Sequence, residues 1–197
     1  MSDFNPDDKD LIERITEGDK QAFKEFIERF QRLVSHIVFR MVDNTADRED
    51  VCQEIFIKAY KNLNKFKFQS QLSTWIGKIA FNTGVNYLRK LKTPLLNDIN
   101  IEDEIIDPVQ RDYSGNASPE NVIEQHDIAN RIESAVDRLP ANYRTIITLY
   151  HIDEMSYTQI GEIMELPEGT VKSYLFRARK SLKKILMNKY QREDIYE

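Results

Sequence analysis

The chain has 197 residues, enough for one ordinary domain or two small ones at roughly 100–200 residues each. Its composition, 41% hydrophobic and 31% charged with a net charge of −5, fits a soluble globular protein and excludes wholesale disorder. One cysteine excludes an internal disulfide and a Cys-rich zinc site, the three histidines lack metal-ligand spacing, none of the six glycines forms a phosphate-cradling loop, and no apolar run nears the roughly 18 residues that cross a bilayer. The acidic start MSDFNPDDKD lacks the plan of a secretion signal. These features predict a cytoplasmic protein with no metal, no cofactor and no membrane insertion.

The hydrophobic period is helical nearly everywhere, so the predicted fold is all-α. A short helix reads from about Asp10 to Glu17 and ends at Gly18. Asp19 can cap a second helix whose Phe23, Phe26, Ile27, Phe30, Val34, Ile37 and Val38 recur at three- and four-residue steps. After the turn signal Asp43-Asn44-Thr45, a third helix carries Val51, Ile55, Ala59 and Leu63 on one side. A fourth, from about Ser73 to Lys92, carries Trp75, Ile76, Ile79, Ala80, Val85 and Leu88. Residues 93–120 break the pattern with Pro94, Pro108, Gly115 and Pro119 among scattered acids, and read as a linker. Its six leucines and isoleucines fit docking on a partner and loose packing on its own chain equally well. Helices resume near Asn121, and Pro140 separates one with Ile132, Ala135 and Val136 from one with Ile146, Ile147, Leu149 and Tyr150.

Charge is sorted along this plan. Residues 1–92 carry a net +2, residues 93–127 carry −8, and residues 128–197 carry +1. Residues 55–92 hold eight Lys/Arg and no acid, and residues 166–192 hold eight against Glu168 alone. Two basic blocks flanking an acidic one suggest two polyanion-binding modules joined by a segment that repels polyanions.

The last two predicted helices are the most informative. Ser156-Tyr157-Thr158-Gln159 is a capping box, followed by the apolar face Ile160, Ile163 and Met164. Glu165-Leu166-Pro167 is a tight turn, with Pro167 opening the next helix. There Val171, Leu175, Ala178 and Leu182 form a buried stripe, while Lys172, Ser173, Phe176, Arg177 and Lys180 show on another face. Two short helices, a tight turn and a basic outer face describe a helix-turn-helix that reads duplex DNA. An ordinary helical hairpin with a basic face is the plainer alternative, and it leaves the capping box and the eight clustered cations unexplained.

The stretch SYTQIGEIMELPEGTVKSYLFRARKSLKKIL resembles the C-terminal DNA-binding helices of the extracytoplasmic-function (ECF) group of sigma-70 RNA polymerase sigma factors. DREDVCQEIFIKAYKNLNKF resembles the family segment that grips the polymerase clamp, and FQSQLSTWIGKIAFNTGVNYLRK the promoter-melting segment. The resemblance implies two small helical domains joined by an acidic linker: a region 2 domain over 1–92, the linker over 93–120, and a region 4 domain with the helix-turn-helix over 121–197. It implies an initiation subunit with no catalytic site of its own. Its partners would be core RNA polymerase (clamp and flap), promoter DNA and an anti-sigma factor.

Residue by residue, the resemblance implies core-polymerase contacts at Asp50, Gln53, Glu54 and Ile57, which face away from the Val51-Ile55-Ala59 stripe. It implies contacts to the −10 element at Lys65, Lys67, Phe68, Gln69, Ser70, Gln71 and Asn82, with a flipped base captured by the 67–71 loop and Asn82. Lys78 adds backbone charge, and Phe66, Phe68, Trp75 and Phe81 are candidate stacking surfaces, although most of these rings read as core. It implies −35 contacts at Lys172, Ser173, Phe176, Arg177, Arg179 and Lys180. Two positions depart from the family pattern: Phe68 stands where a Gly is usual, and Tyr174 where an Arg is frequent.

A helix-turn-helix regulator that works without polymerase is the first rival, and the acid-free aromatic stretch 55–92 argues against it. An enzyme is the second, and no nucleophile–base or metal constellation is visible.

Overall fold

The computed structural model describes residues 6–91 and 123–193. The predicted acidic linker, 93–120, lies outside the described residues. Every regular element among those described is helical.

Helix α1 spans Pro6–Thr16 and starts four residues earlier than the sequence pattern suggested. Proline is tolerated in a first helical turn, and Asp7 and Asp8 there suit the positive end of the helix dipole. Gly18, at φ +95°, ends the segment, and Asp19 starts the next. The Asp19 carboxylate accepts from the Gln21 amide at 2.8 Å and the Ala22 amide at 3.1 Å, and from Arg14 Nη2 at 3.1 Å. Those amides, led by that of Ala22, hold its carboxyl below the usual range. Helix α2 (Lys20–Met41) buries Ala22, Phe26, Phe30, Leu33, Val34, Ile37, Val38 and Met41. It packs against α1 and, as the chain continues, against three further helices.

Asn44 caps α3 (Thr45–Asn62) by accepting from the Ala46 amide at 3.0 Å. Val51, Ile55 and Ala59 are buried along it, and Leu63 is buried in the short 3₁₀ turn that follows. Helix α4 (Leu72–Lys90) buries Ile76, Ala80 and Leu88 as expected, together with Leu72 and Phe81, while Trp75, Ile79 and Val85 of the predicted stripe are half-buried. These four helices form the first packed group.

The second group begins with α5 (Ile123–Asp137) and, after Pro140, α6 (Ala141–His151). The middle of helix α6 is buried all round, over the eight consecutive residues Asn142–Leu149. One side faces α2 and the others face α7 (Tyr157–Met164) and α8 (Glu168–Glu193). The Ser156–Gln159 capping box forms as the sequence predicts, with Ser156 Oγ accepting from the Gln159 amide at 3.2 Å and Gln159 Oε1 from the Ser156 amide at 2.9 Å. Pro167 stands one position before α8, where its carbonyl accepts from the amides of Thr170 and Val171. Val171, Leu175 and Ala178 are buried, and Leu182 is half-buried at the far end of the stripe.

The two groups share one continuous apolar core, joined where α2 meets α6 and where α4 meets α7. Charged pairs cross the α2–α6 seam in both directions. Arg40 of α2 donates to Asp137 at 2.7 Å and to Thr148 at 3.1 Å, while Arg144 of α6 donates to Asp43 at 2.9 Å. His36 Nδ1 lies 2.8 Å from the buried carboxylate of Asp153.

The turn between α7 and α8 makes a specific demand on sequence. A Cβ added at Gly161 would lie 2.7 Å from the Leu166 carbonyl oxygen, a backbone atom that cannot swing aside. Gly161→Ala is therefore expected to destabilise the protein by about 1–3 kcal/mol despite the better helix propensity of alanine. Urea unfolding followed by circular dichroism measures this, and a gain in stability would contradict the tight packing of the turn.

Candidate nucleic-acid interface

The first turns of α8 carry an exposed face. Lys172, Ser173, Phe176 and Arg177 line one open surface hollow. Steps of four place Lys172, Phe176 and Lys180 in one row and Ser173 and Arg177 in the next. Phe176 is 69% exposed, the most exposed of the large apolar residues described. An exposed ring between two cations is a surface made to be covered. Lys172 Nζ pairs with Glu168 at 2.7 Å and sits 5.3 Å from the centre of the Tyr157 ring. The Glu168 bond raises the Lys172 pKa and keeps it charged. Burial raises the Tyr143 pKa, and the neighbouring Arg177 opposes only part of that rise. Ser173 Oγ donates to the Gly169 carbonyl at 2.9 Å.

Arg179 stands apart from that face. Its guanidinium contacts His151 Nε2 at 3.1–3.2 Å and lies 5.1 Å over the Tyr150 ring, so it turns toward α6. Tyr150 in turn stacks on Tyr157 with ring centres 5.2 Å apart. This ladder of Arg179, Tyr150, Tyr157 and Lys172 escaped the sequence reading, since its members come from three helices. Tyr174, at the position where the family often has Arg, packs edge-on against Tyr143.

In the first group, Lys65, Lys67 and Gln69 are exposed, while Phe68, Ser70, Gln71 and Asn82 are partly covered. Lys65 Nζ donates to Asn62 at 3.2 Å. The aromatics divide. Phe66 and Phe81 are buried and belong to the core. Phe68 and Trp75 keep part of their surface, with their rings 4.9 and 5.4 Å from that of Phe66. Phe68 adopts φ +55°, a left-handed conformation that glycine takes at far lower cost. The departure noted in the sequence therefore falls on a backbone position that suits the usual Gly.

Gln71 and Asn82 both meet the second group. Gln71 Oε1 accepts from Gln159 Nε2 at 2.7 Å. Lys78 contacts the Glu165 carboxylate at 2.9 Å, with Asn82 nearby as a minor influence on it. The Lys78 bond is the main cause of a lowered Glu165 pKa. Sequence reasoning could not find this pairing, because nothing in either segment says which helix it will face.

On α3, Asp50, Gln53, Glu54 and Ile57 are all exposed, Ile57 by 53%. Glu54 pairs with Lys58 at 2.7 Å. Tyr60, 50% exposed and one turn on, extends this face, and its ring packs edge-on against Phe23. Cys52 is half-buried, and burial raises its pKa, which favours the thiol over the thiolate.

Comparison with known proteins fits this geometry. Sigma-70 region 2 matches residues 26–93, and Sigma-70, region 4 matches residues 129–182. The chain is 33% identical over 179 residues to the ECF RNA polymerase sigma factor SigW of Bacillus subtilis, spanning 90% of this chain and 96% of that one. It is 37% identical over 182 residues to the ECF RNA polymerase sigma-E factor of Escherichia coli, spanning 89% and 92%. Its fold is similar to that of CnrH, solved in complex with the cytosolic domain of CnrY, with a TM-score of 0.64 at 19% identity over 92% of this chain and 97% of that one. It is also similar to the sigma factor RpoE of Bartonella quintana, solved with the anti-sigma factor NepR, with a TM-score of 0.59 at 23% identity over 84% and 96%. With two matching regions in order and relatives aligned nearly end to end, the chain belongs to the ECF group of the sigma-70 family of RNA polymerase sigma factors.

Proposed function

We propose the following division of labour within promoter-specific initiation. Residues 1–92 hold core polymerase and read the −10 element, residues 121–197 read the −35 duplex, and residues 93–120 link the two. The observation that carries this reading is the exposed group Lys172, Ser173, Phe176 and Arg177 at the start of α8. A recognition helix meets base edges with its N-terminal turns, and these residues occupy them. Arg177 is the residue for a guanine edge, because its fork can bond twice. Phe176 suits a thymine methyl. Lys180 lies further along and supplies phosphate charge. Arg179, turned toward α6, has the weakest claim to a base.

The α3 row is read as the polymerase contact, since acids beside an exposed Ile57 and Tyr60 suit a basic, partly apolar partner. The chain makes and breaks no bonds; it positions DNA for the polymerase. An anti-sigma factor as a further partner, and a cytoplasmic location, belong to the same reading. The deciding experiment is transcription in vitro with purified core enzyme, with sequencing of the 5′ ends. Transcripts starting downstream of a shared motif pair support the assignment, and no increase over core alone overturns it.

Two variants test the residues. Asp50→Lys with Glu54→Lys should weaken core binding, by up to about 2–5 kcal/mol if the pair is desolvated in the complex and by much less at a rim. Unchanged affinity of the correctly folded double variant removes the α3 assignment. Arg177→Ala should erase preference at one −35 position worth about 1–3 kcal/mol, whereas Lys180→Ala should weaken all sequences alike and lower the salt slope by about one. Binding to a panel of single-base −35 variants at two salt concentrations separates these outcomes. A uniform loss for Arg177→Ala would make it a phosphate clamp.

A further inference from the structure

The exposed face of α8 has a bare tip. Gly169 is exposed in the first turn of the helix. At about 100° per residue, its Cα faces out between Lys172 and Phe176 on one side and Ser173 and Arg177 on the other, opposite the buried Val171, Leu175 and Ala178. Glycine weakens a helix relative to alanine, because its backbone loses more freedom on folding. The other described glycines each have a reason within the chain. Gly18 holds φ +95°. A Cβ on Gly77, Gly84 or Gly161 would lie 2.8 Å from Ile163 Cδ1, 2.7 Å from Met41 Sδ or 2.7 Å from the Leu166 carbonyl oxygen. A Cβ on Gly169 meets nothing within 4 Å, and its φ is not left-handed. Nothing in the described structure forbids a side chain there.

The surroundings keep the tip low. Ser173, one turn on, folds its hydroxyl back onto the Gly169 carbonyl at 2.9 Å. The acid beside it, Glu168, is bonded to Lys172 at 2.7 Å along the edge of the face. Two turns on the surface rises, where the Phe176 ring stands out into solvent. We propose that Gly169 is the clearance point of this face, bare so that base edges of the −35 duplex come into van der Waals contact with the α8 backbone. The inference rests on the −35 reading of the face. A recognition helix meets base edges with its N-terminal turns, so its tip goes deepest into the groove. Glycine is the residue that admits a ligand to the backbone itself. The depth reached at Gly169 sets whether Phe176 and Arg177, two turns behind, touch their bases. Gly169 is therefore a positioning residue, and it acts by shape alone.

The test uses holoenzyme assembled from the full chain and core polymerase, with Gly169→Ala and Gly169→Leu. Three quantities are read. They are the melting temperature of the chain without core, holoenzyme affinity for a mapped promoter and its single-base −35 variants at two salt concentrations, and affinity for the same promoter opened at −10 and lacking the −35 segment. Gly169→Ala should raise the melting temperature by up to about 2–4 °C, and Gly169→Leu should not lower it. Affinity for the full promoter should fall with side-chain size, roughly fivefold for Ala and thirtyfold or more for Leu. Preference among the −35 variants should flatten, while the salt slope stays that of the parent chain, since the phosphate cations are untouched. The promoter without a −35 segment should bind parent and variants alike. If melting temperature and affinity fall together, the glycine serves the fold and the proposal is overturned. An equal loss on the promoter without a −35 segment also overturns it, as does a loss that spares the preference among −35 variants. Arg177→Ala separates the remaining failures. If Gly169→Leu leaves binding unchanged while Arg177→Ala impairs it, the −35 reading stands and the clearance is wrong. If neither impairs binding, the −35 reading of α8 falls and takes the clearance with it.

Discussion

Two buried arginines pointing opposite ways across one seam fix how this molecule is put together. Arg40 reaches from α2 to Asp137 and Thr148, and Arg144 reaches from α6 to Asp43. Their side chains are 14% and 4% exposed, so both have given up most of their water. Pairs of this kind add little net stability, because desolvation offsets the attraction, but removing one partner costs about 3–5 kcal/mol. Their effect is directional. Apolar surfaces alone could slide by a turn, whereas two oppositely directed pairs agree in only one register. The seam is not perfectly satisfied, since Arg144 Nε and Asp153 Oδ2 are buried without a protein partner.

The rest of the arrangement follows from that register. With α2 on one side of α6 and α7 and α8 on the others, the middle of α6, Asn142–Leu149, has no solvent face. The same register sets α7 against α4 and leaves the start of α8 outside. The exposed faces on α3 and α8 are thus as much a product of the seam as the covered one on α4.

Much of this was legible in the sequence, for identifiable reasons. Caps are local, so Asp19 and the Ser156–Gln159 box could be read from neighbours three residues apart. The buried stripes of α3 and α8 followed from period alone. What failed to show was whatever depends on a second partner. Arg144, Thr145 and Thr148 look like a polar face of α6 and are buried, because their partners arrive from elsewhere or from the helix's own carbonyls. Phe66 and Phe81 were read among possible stacking rings and lie in the core. Arg179 shares a charge run with Arg177 and Lys180, yet a step of two residues on a helix turns it toward His151. Period identifies one face of a helix; it cannot name what a second face will meet.

Gln159 binds at both ends of its side-chain amide. The oxygen accepts from the Ser156 backbone at the start of α7, and the nitrogen donates to Gln71 on the other group. The two bonds are separable: losing the second leaves the first intact, so the cap of α7 does not depend on the contact to the other group. A capping box accepts Glu or Gln with little distinction. The contact to Gln71 does distinguish them: a carboxylate has no proton to give to Gln71 Oε1, so a Glu at 159 would need the Gln71 amide turned to donate its Nε2 instead. One atom at one position thus sets which end of the Gln71 amide faces α7. That difference can be read from the letters Q and E before any coordinates are known.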